Sequence, residues 1–153
     1  MIGKVNKFNF LFIIFFFFNY FQVADSKSIY IKAKVQNAII TNLDIANEKK
    51  YLIFLNPRLA ELEEKKVDEI SKNSIIKEII KKKELEKYHD FSKSSNFTKI
   101  VEKNLLKSKK LSQSEFLQII KDEDLNYDVI IKKLEIEALW NQLIYKKYLN
   151  NIK

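Results

Sequence analysis

The chain has 153 residues and a formal net charge of +8, and it contains no cysteine, one glycine and one proline. This length suits one compact domain. The lack of cysteine excludes disulfides, thiol nucleophiles and cysteine-based metal sites, and the near-absence of glycine excludes glycine-rich phosphate loops and most β-rich folds. The abundance of Lys, Leu, Ile and Glu instead favours a mainly α-helical protein.

The positive charge is carried almost entirely by lysine, because Arg58 is the only arginine. Specific recognition of bases and phosphates relies on the bidentate guanidinium group of arginine. We therefore expect the lysines to lie mainly on solvated helix faces, and we expect no specific nucleic-acid partner. A weaker alternative is binding of nucleic acid or an anionic membrane through Lys81, Lys82, Lys83, Lys107, Lys109 and Lys110.

The N-terminus has the pattern of a targeting segment. Lys4 and Lys7 precede an apolar, phenylalanine-rich run over 8–18, and polar residues follow up to Ser26. The run is shorter than the ~20 residues of a membrane span, so we predict a cleaved signal peptide over 1–26, with an uncleaved signal anchor as the alternative. The domain over 27–153 would then lie outside the cytoplasm, with membrane attachment only if the signal is retained.

A short β-hairpin is predicted directly after this segment. Apolar and polar residues alternate over 29–35, which predicts a strand with one apolar face, and 39–41 would form the returning strand. The turn is placed at Gln36–Asn37 or at Asn37–Ala38, because asparagine tolerates a positive φ angle. Since a lone hairpin is marginally stable in water, we expect it to pack on helices.

About five helices are predicted after the hairpin. Thr41 and Asp44 have the spacing of a capping box at the start of the first helix, and Ser112 and Glu115 repeat that spacing at the start of the fourth. The Asn56–Pro57 pair should end the first helix, because the residue before a proline avoids the helical conformation. The first, second and fifth helices are predicted over 42–55, about 58–88 and about 127–149. The third helix is predicted to begin near Ser94 or Ser95, and the fourth at Ser112.

Three segments together carry a family resemblance. Residues 35–45 combine a strand, a tight turn and a capped helix start, and Ile70–Lys83 has the pattern of a lysine-rich helix. Leu111–Phe116 leads into a helix, and Asp124–Tyr127 brings a Leu-Asn-Tyr sequence to the start of the last helix. In order and spacing these segments resemble the N-terminal domain of SurA-type periplasmic chaperones.

The resemblance covers most of 29–149 and implies a SurA N-terminal-like fold. We expect unfolded outer-membrane or secreted polypeptides to bind in an apolar groove between the first, second and fifth helices. Ala38 and Asp124 stand where the family has glycine. Full-length relatives continue into parvulin-type prolyl isomerase domains, which we do not expect here. The expectation is a periplasmic, non-enzymatic chaperone-like protein without cofactor or metal. The alternative is a structural or assembly subunit whose core is completed by a partner chain or a second copy.

Aromatic side chains are the candidate contacts for such clients, because rigid amphipathic rings are enriched at binding interfaces. Phe54, Phe97 and Phe116 lie on apolar stripes and are expected in the core instead. The single histidine, His89, has no convergent nucleophile or base in the sequence, so we predict no catalytic site. The candidate client contacts are Tyr51, Trp140, Tyr145 and Tyr148.

Overall fold

The computed structural model describes residues 28–91 and 96–149. The predicted signal segment over 1–26, and the predicted start of the third helix at Ser94 or Ser95, lie outside the described residues. Within those ranges an antiparallel hairpin precedes five α-helices, which confirms the predicted mainly helical fold. The elements are β1 (Ile31–Val35), β2 (Ala38–Thr41), α1 (Asn42–Leu55), a 3₁₀ helix (Pro57–Glu61), α2 (Glu64–Leu85), α3 (Asn96–Lys109), α4 (Gln113–Asp122) and α5 (Tyr127–Tyr148).

The hairpin turn lies at Gln36–Asn37, between β1 and β2. Gln36 adopts the positive φ angle, 53°, whereas Asn37 does not, so the prediction that asparagine would supply this conformation is wrong. Ala38 belongs to β2 and has no positive φ angle either. The turn therefore forms without glycine because Gln36 takes up the left-handed conformation at some steric cost.

A β-bulge changes which residues of β1 face the core. Ile31 pairs with Thr41, whereas Ala33 pairs with Ile40, so the strand has an additional residue between these two pairs. The bulge interrupts the alternation of faces and places Ile31 on the outer face, where it is 65% exposed, while Ile40 is buried. The prediction that the apolar residues of 29–35 share one face is therefore wrong at the start of the strand.

α1 has the predicted bounds and a complete capping box. The Thr41 hydroxyl accepts a hydrogen bond from the Asp44 backbone N–H, and the Asp44 carboxylate accepts one from the Thr41 N–H at 2.7 Å. The helix ends at Leu55 because Asn56, which precedes Pro57, adopts an extended backbone conformation. The cap satisfies N–H groups that a helix start leaves free and joins β2 directly to α1.

The predicted continuous helix over about 58–88 is wrong in its first part. Pro57–Glu61 forms a 3₁₀ helix, and the backbone is then extended at Leu62 and Glu63 before α2 begins at Glu64. Two successive residues outside the helical region interrupt the ladder of hydrogen bonds, so one continuous helix cannot form. The break reverses the chain, and α2 packs against α1.

The starts of α4 and α5 use side-chain caps. The Ser112 hydroxyl and the Glu115 carboxylate form a reciprocal capping box at α4, and the Asn126 side chain accepts a hydrogen bond from the Val129 N–H at α5. Asp124 has a φ angle of 50°, the left-handed conformation for which glycine is favoured. Aspartate is one of the few other residues that adopts this conformation readily, so the turn between α4 and α5 closes without glycine.

The hydrophobic core lies between α5 and the helices that pack around it. α2 and α3 both contact α5, and β2 packs on α1 and α2. Phe116 is fully buried, with its ring centroid 5.9 Å from that of Phe54, which agrees with the expected core role of both residues, and Phe97 is half-buried. The buried residues at the centre of the core are Tyr51, Leu105, Phe116, Ile120 and Ile130.

Candidate functional site

A surface groove runs between the C-terminal parts of α2 and α5 and is closed at one side by the hairpin turn. We call it the α2–α5 groove, and its volume is about 830 Å³. Its apolar surface, the groove floor, consists of Ile80, Tyr88, Trp140, Leu143, Ile144 and Tyr148. This volume is within the usual range of about 300–1,000 Å³ for ligand-binding clefts.

Helical spacing explains why the floor is continuous. Trp140, Ile144 and Tyr148 follow one another at intervals of four, so they lie on one face of α5. Opposite them, Ile80 is 52% exposed and Tyr88 is 69% exposed. Large apolar side chains gathered in a concave patch, and left partly open to solvent, are typical of interaction sites.

Charged side chains border the floor and form what we call the groove rim, which consists of Lys83, Glu84, Lys87, Lys146 and Lys147. Glu84 pairs with Lys87, and this hydrogen bond raises the pKa of Lys87 above its ordinary value. Lys83 donates a hydrogen bond to the neutral amide oxygen of Gln36. Within 28–91 and 96–149, no carboxylate pairs with Lys83, Lys146 or Lys147, so the rim is positively charged.

The structure brings together two of the four predicted client contacts. Trp140 and Tyr148 line the groove. Tyr145, which is 65% exposed, lies on the same helix but does not line it. Tyr51 is only 7% exposed and packs in the core, so its placement does not fit the predicted role as a surface contact.

A second cavity, of about 530 Å³, lies where an apolar groove between the first, second and fifth helices was predicted. It is lined by β2, α1, α2 and α5, but its lining includes the charged residues Glu48, Glu78 and Lys133. Ile40, Ile79 and Ile130 line it as well, so a groove with both apolar and charged walls lies at the predicted position. The α2–α5 groove is a separate concave surface, at the C-terminal ends of the same two helices.

Lys133 links three helices through buried charges. Its Nζ lies 2.8 Å from Glu48 on α1 and also contacts Glu78 on α2, and the side chains of Lys133 and Glu48 are 13% and 2% exposed. Burial lowers the pKa of Lys133, but the carboxylates of Glu78 and Glu48 outweigh this effect and raise it overall. Burial, assisted by Glu48, also raises the pKa of the Tyr51 phenol, so the lysine stays charged and the tyrosine stays neutral.

No protein-family model, curated protein or solved structure matches the chain. The likeness to the SurA-type domain therefore stays a prediction from the residues that carry it. The shape of the groove and the charges around it are the structural features from which a function can be inferred.

The buried charges were not predicted from the sequence, although the position of Glu48 indicated one of them. Glu48 lies three residues after Ile45 and three before Tyr51, on the buried face of α1. A carboxylate at such a position requires a buried cationic partner. The partner, Lys133, is 85 residues further along the chain and could not be identified from spacing.

A further buried carboxylate belongs to Glu135 on α5, which is 2% exposed. Lys132 lies 3.2 Å from it, and the Nε2 atom of His89 lies 3.9 Å away. His89, together with the hydrogen bond that Lys132 donates to the Phe91 carbonyl, attaches the segment after α2 to α5, and these contacts include no nucleophile. Across 28–91 and 96–149, no cluster of His, Asp and Glu is suited to hold a metal ion.

Several of the lysines singled out for anionic partners contact groups of the protein itself. Lys81 pairs with Glu137 at 2.5 Å, and Lys82 lies 3.9 Å from Glu86. Lys109 donates hydrogen bonds to the last two carbonyl groups of α1, where a cation also offsets the negative end of the helix dipole. Each helix in the part of the chain that the structure describes is too short or too polar to span a lipid bilayer.

Proposed function

We propose that this protein is a non-enzymatic, chaperone-like protein that binds unfolded polypeptide segments in the α2–α5 groove. The observation that carries the proposal is the groove floor, a concave set of aromatic and aliphatic side chains left partly open to solvent. Burying such a surface against a client releases free energy at about 25 cal/mol per Å² of apolar area. Binding of this kind needs no particular client sequence.

The chemistry of the groove favours binding over catalysis. Among the described residues that line it, none is a cysteine, serine or histidine, and the one carboxylate, Glu84, is paired with Lys87. A catalytic site needs a nucleophile or an acid–base pair held against a substrate atom. An apolar floor with a charged rim instead provides a contact surface.

We further propose that the protein acts in the bacterial periplasm on outer-membrane or secreted polypeptides. The basis is the N-terminal pattern, in which Lys4 and Lys7 precede the apolar run over 8–18. The resemblance of 35–45 and of Leu111–Phe116 to SurA-type domains supports the same assignment. Retention of the signal segment would anchor the protein at the inner membrane.

The test is whether the full chain slows aggregation of an unfolded β-barrel protein diluted from denaturant. Ile80 in the groove and Ile100 on α3 are a matched pair, since they are 52% and 54% exposed and only Ile80 lines the groove. We expect Ile80→Glu to lose most of the activity and Ile100→Glu to keep it. Because both variants retain the apolar N-terminal run, any effect of that run cancels. Equal activity of the two variants, or no slowing by the unaltered chain at any molar ratio, would contradict the proposal.

A second candidate function is assembly of two copies through the hairpin. Ile39 and Leu43 are 54% and 48% exposed, and Ile31 is exposed beside them. In the described chain the sheet has only two strands, so each strand has one edge with no neighbouring strand, and such edges pair readily with another copy. Sedimentation velocity distinguishes this role, because assembly predicts a concentration-dependent dimer that Ile39→Lys dissociates. A monomer at all concentrations would exclude it.

A further inference from the structure

We propose that the groove rim selects acidic client segments, in which apolar side chains are flanked by Asp or Glu. This inference rests on the proposed function and names its substrate class. The groove combines a floor that accepts any apolar side chain with a rim of four lysines and one glutamate. The floor would supply affinity, and the rim would decide which flanking charges are accepted.

The rim keeps most of its positive charge available for a ligand. Glu84 offsets only Lys87. The hydrogen-bond partner of Lys83 is the neutral amide of Gln36, which does not offset the positive charge of the lysine. Lys146 and Lys147 are adjacent and exposed on the last turn of α5, where the described part of the chain offers them no carboxylate. A client carboxylate near these three lysines gains charge-assisted hydrogen bonds, whereas a client lysine would face like charges.

The shape of the groove favours a peptide over a lipid surface. Trp140 and Ile144 are half-buried between the two helices, so a ligand must enter the groove to reach them. A flat bilayer contacts protruding amphipathic faces, whereas individual side chains of an extended or helical peptide fit a concave cleft. A polypeptide with negative charges beside its apolar residues therefore matches both parts of the groove.

The experiment uses three labelled peptides that share one apolar core without tryptophan and differ only in flanks of Asp, Ser or Lys. Trp140 is the only tryptophan of the chain and lines the groove, so its fluorescence in the full chain reports occupancy directly. Anisotropy of the labelled peptides measures affinity independently. We expect the Asp-flanked peptide to bind about ten-fold more tightly than the Ser-flanked one at low salt, which corresponds to about 1.4 kcal/mol and to a few exposed ion pairs.

The variant that tests the rim is Lys146→Gln with Lys147→Gln. We expect it to reduce the preference for the Asp-flanked peptide over the Ser-flanked one to about three-fold or less. The matched control is Lys99→Gln with Lys103→Gln, which removes two exposed lysines from α3, outside the groove, and should leave the ten-fold preference in place. Added salt should reduce the preference in the unaltered chain.

The outcomes separate this inference from the proposed function. Equal binding of all three peptides would overturn acid selection and leave polypeptide binding standing. No binding of any peptide, by either readout, would overturn both. A third outcome is that vesicles of anionic lipid displace the Asp-flanked peptide and bind more tightly than neutral vesicles, and that this binding depends on Lys146 and Lys147. The rim would then be a lipid site, and acid selection would be overturned.

Discussion

Replacing Lys133 by methionine should destabilise the protein strongly. Lys133 is the cation that Glu48 and Glu78 share, and the Glu48 side chain is only 2% exposed. Without the lysine a buried carboxylate has lost its counter-charge, and removing one partner of a buried ion pair typically costs about 3–5 kcal/mol. That cost is a large part of a total stability of roughly 5–15 kcal/mol. The melting temperature should fall by roughly 10–20 °C.

A matched control separates burial from the mere loss of an ion pair. Lys81→Met also removes a lysine that joins α2 to α5, but its partner, Glu137, is 48% exposed. Because water solvates that carboxylate once the lysine is gone, we expect a loss below about 1 kcal/mol. Urea denaturation followed by circular dichroism at neutral pH measures both variants on one scale.

A rescue variant tests the cause of the loss. If the unpaired carboxylates are responsible, adding Glu48→Met and Glu78→Met to Lys133→Met should recover most of the stability, because well-packed apolar residues often replace buried ion pairs without cost. Two results would show that the buried carboxylates do not cause the loss. One is a Lys133→Met loss no larger than that of Lys81→Met, and the other is a triple variant as unstable as the single one.

Three further predictions concern the caps and the partly buried phenol of Tyr127. Thr41→Val with Asp44→Ala should lower stability by about 1 kcal/mol per residue, measured by thermal denaturation, and no loss would show that the cap does not stabilise α1. The pKa of Glu115 is lowered by its hydrogen bonds to the cap, so its stabilising effect should be complete above pH 4.5 and fade on further acidification. Urea titrations should therefore show the difference between the unaltered chain and Glu115→Gln shrinking below pH 4.5, and a constant difference would contradict this. Burial, and the hydrogen bond that Tyr127 donates to Glu102, raise the pKa of Tyr127 to about 12. Tyr127→Phe should remove one tyrosine ionisation step near that pH, followed by ultraviolet absorbance, and should lower the free energy of unfolding by about 1 kcal/mol. An unchanged titration curve would contradict the assignment.

Local patterns allowed much of the fold to be predicted. The bounds of α1 follow from neighbouring residues alone, since Thr41 caps its start and Pro57 follows its end. The starts of α4 and α5 were predictable for the same reason, because Ser112 and Asn126 bond to groups within three residues of themselves. Such short-range hydrogen bonds leave a recognisable spacing in the sequence.

The features that sequence reasoning missed depend on tertiary contacts. The outward position of Ile31 depends on a bulge in strand pairing, and the break at Leu62 depends on how α2 returns along α1. The pairing of Glu48 with Lys133 joins segments far apart in sequence. Of the groove floor, only Trp140 and Tyr148 were candidate contacts from the sequence, because the contribution of Ile80 depends on where α2 meets α5.

The most direct test of polypeptide binding in the α2–α5 groove is site-specific photo-crosslinking. A photoreactive amino acid is placed at position 80 or at position 100, where the native isoleucines have nearly equal exposure, 52% and 54%. The full chain is then irradiated with an unfolded outer-membrane protein. We expect a strong crosslinked product from position 80 and little from position 100. Equal products from both positions, or none from position 80, would contradict it.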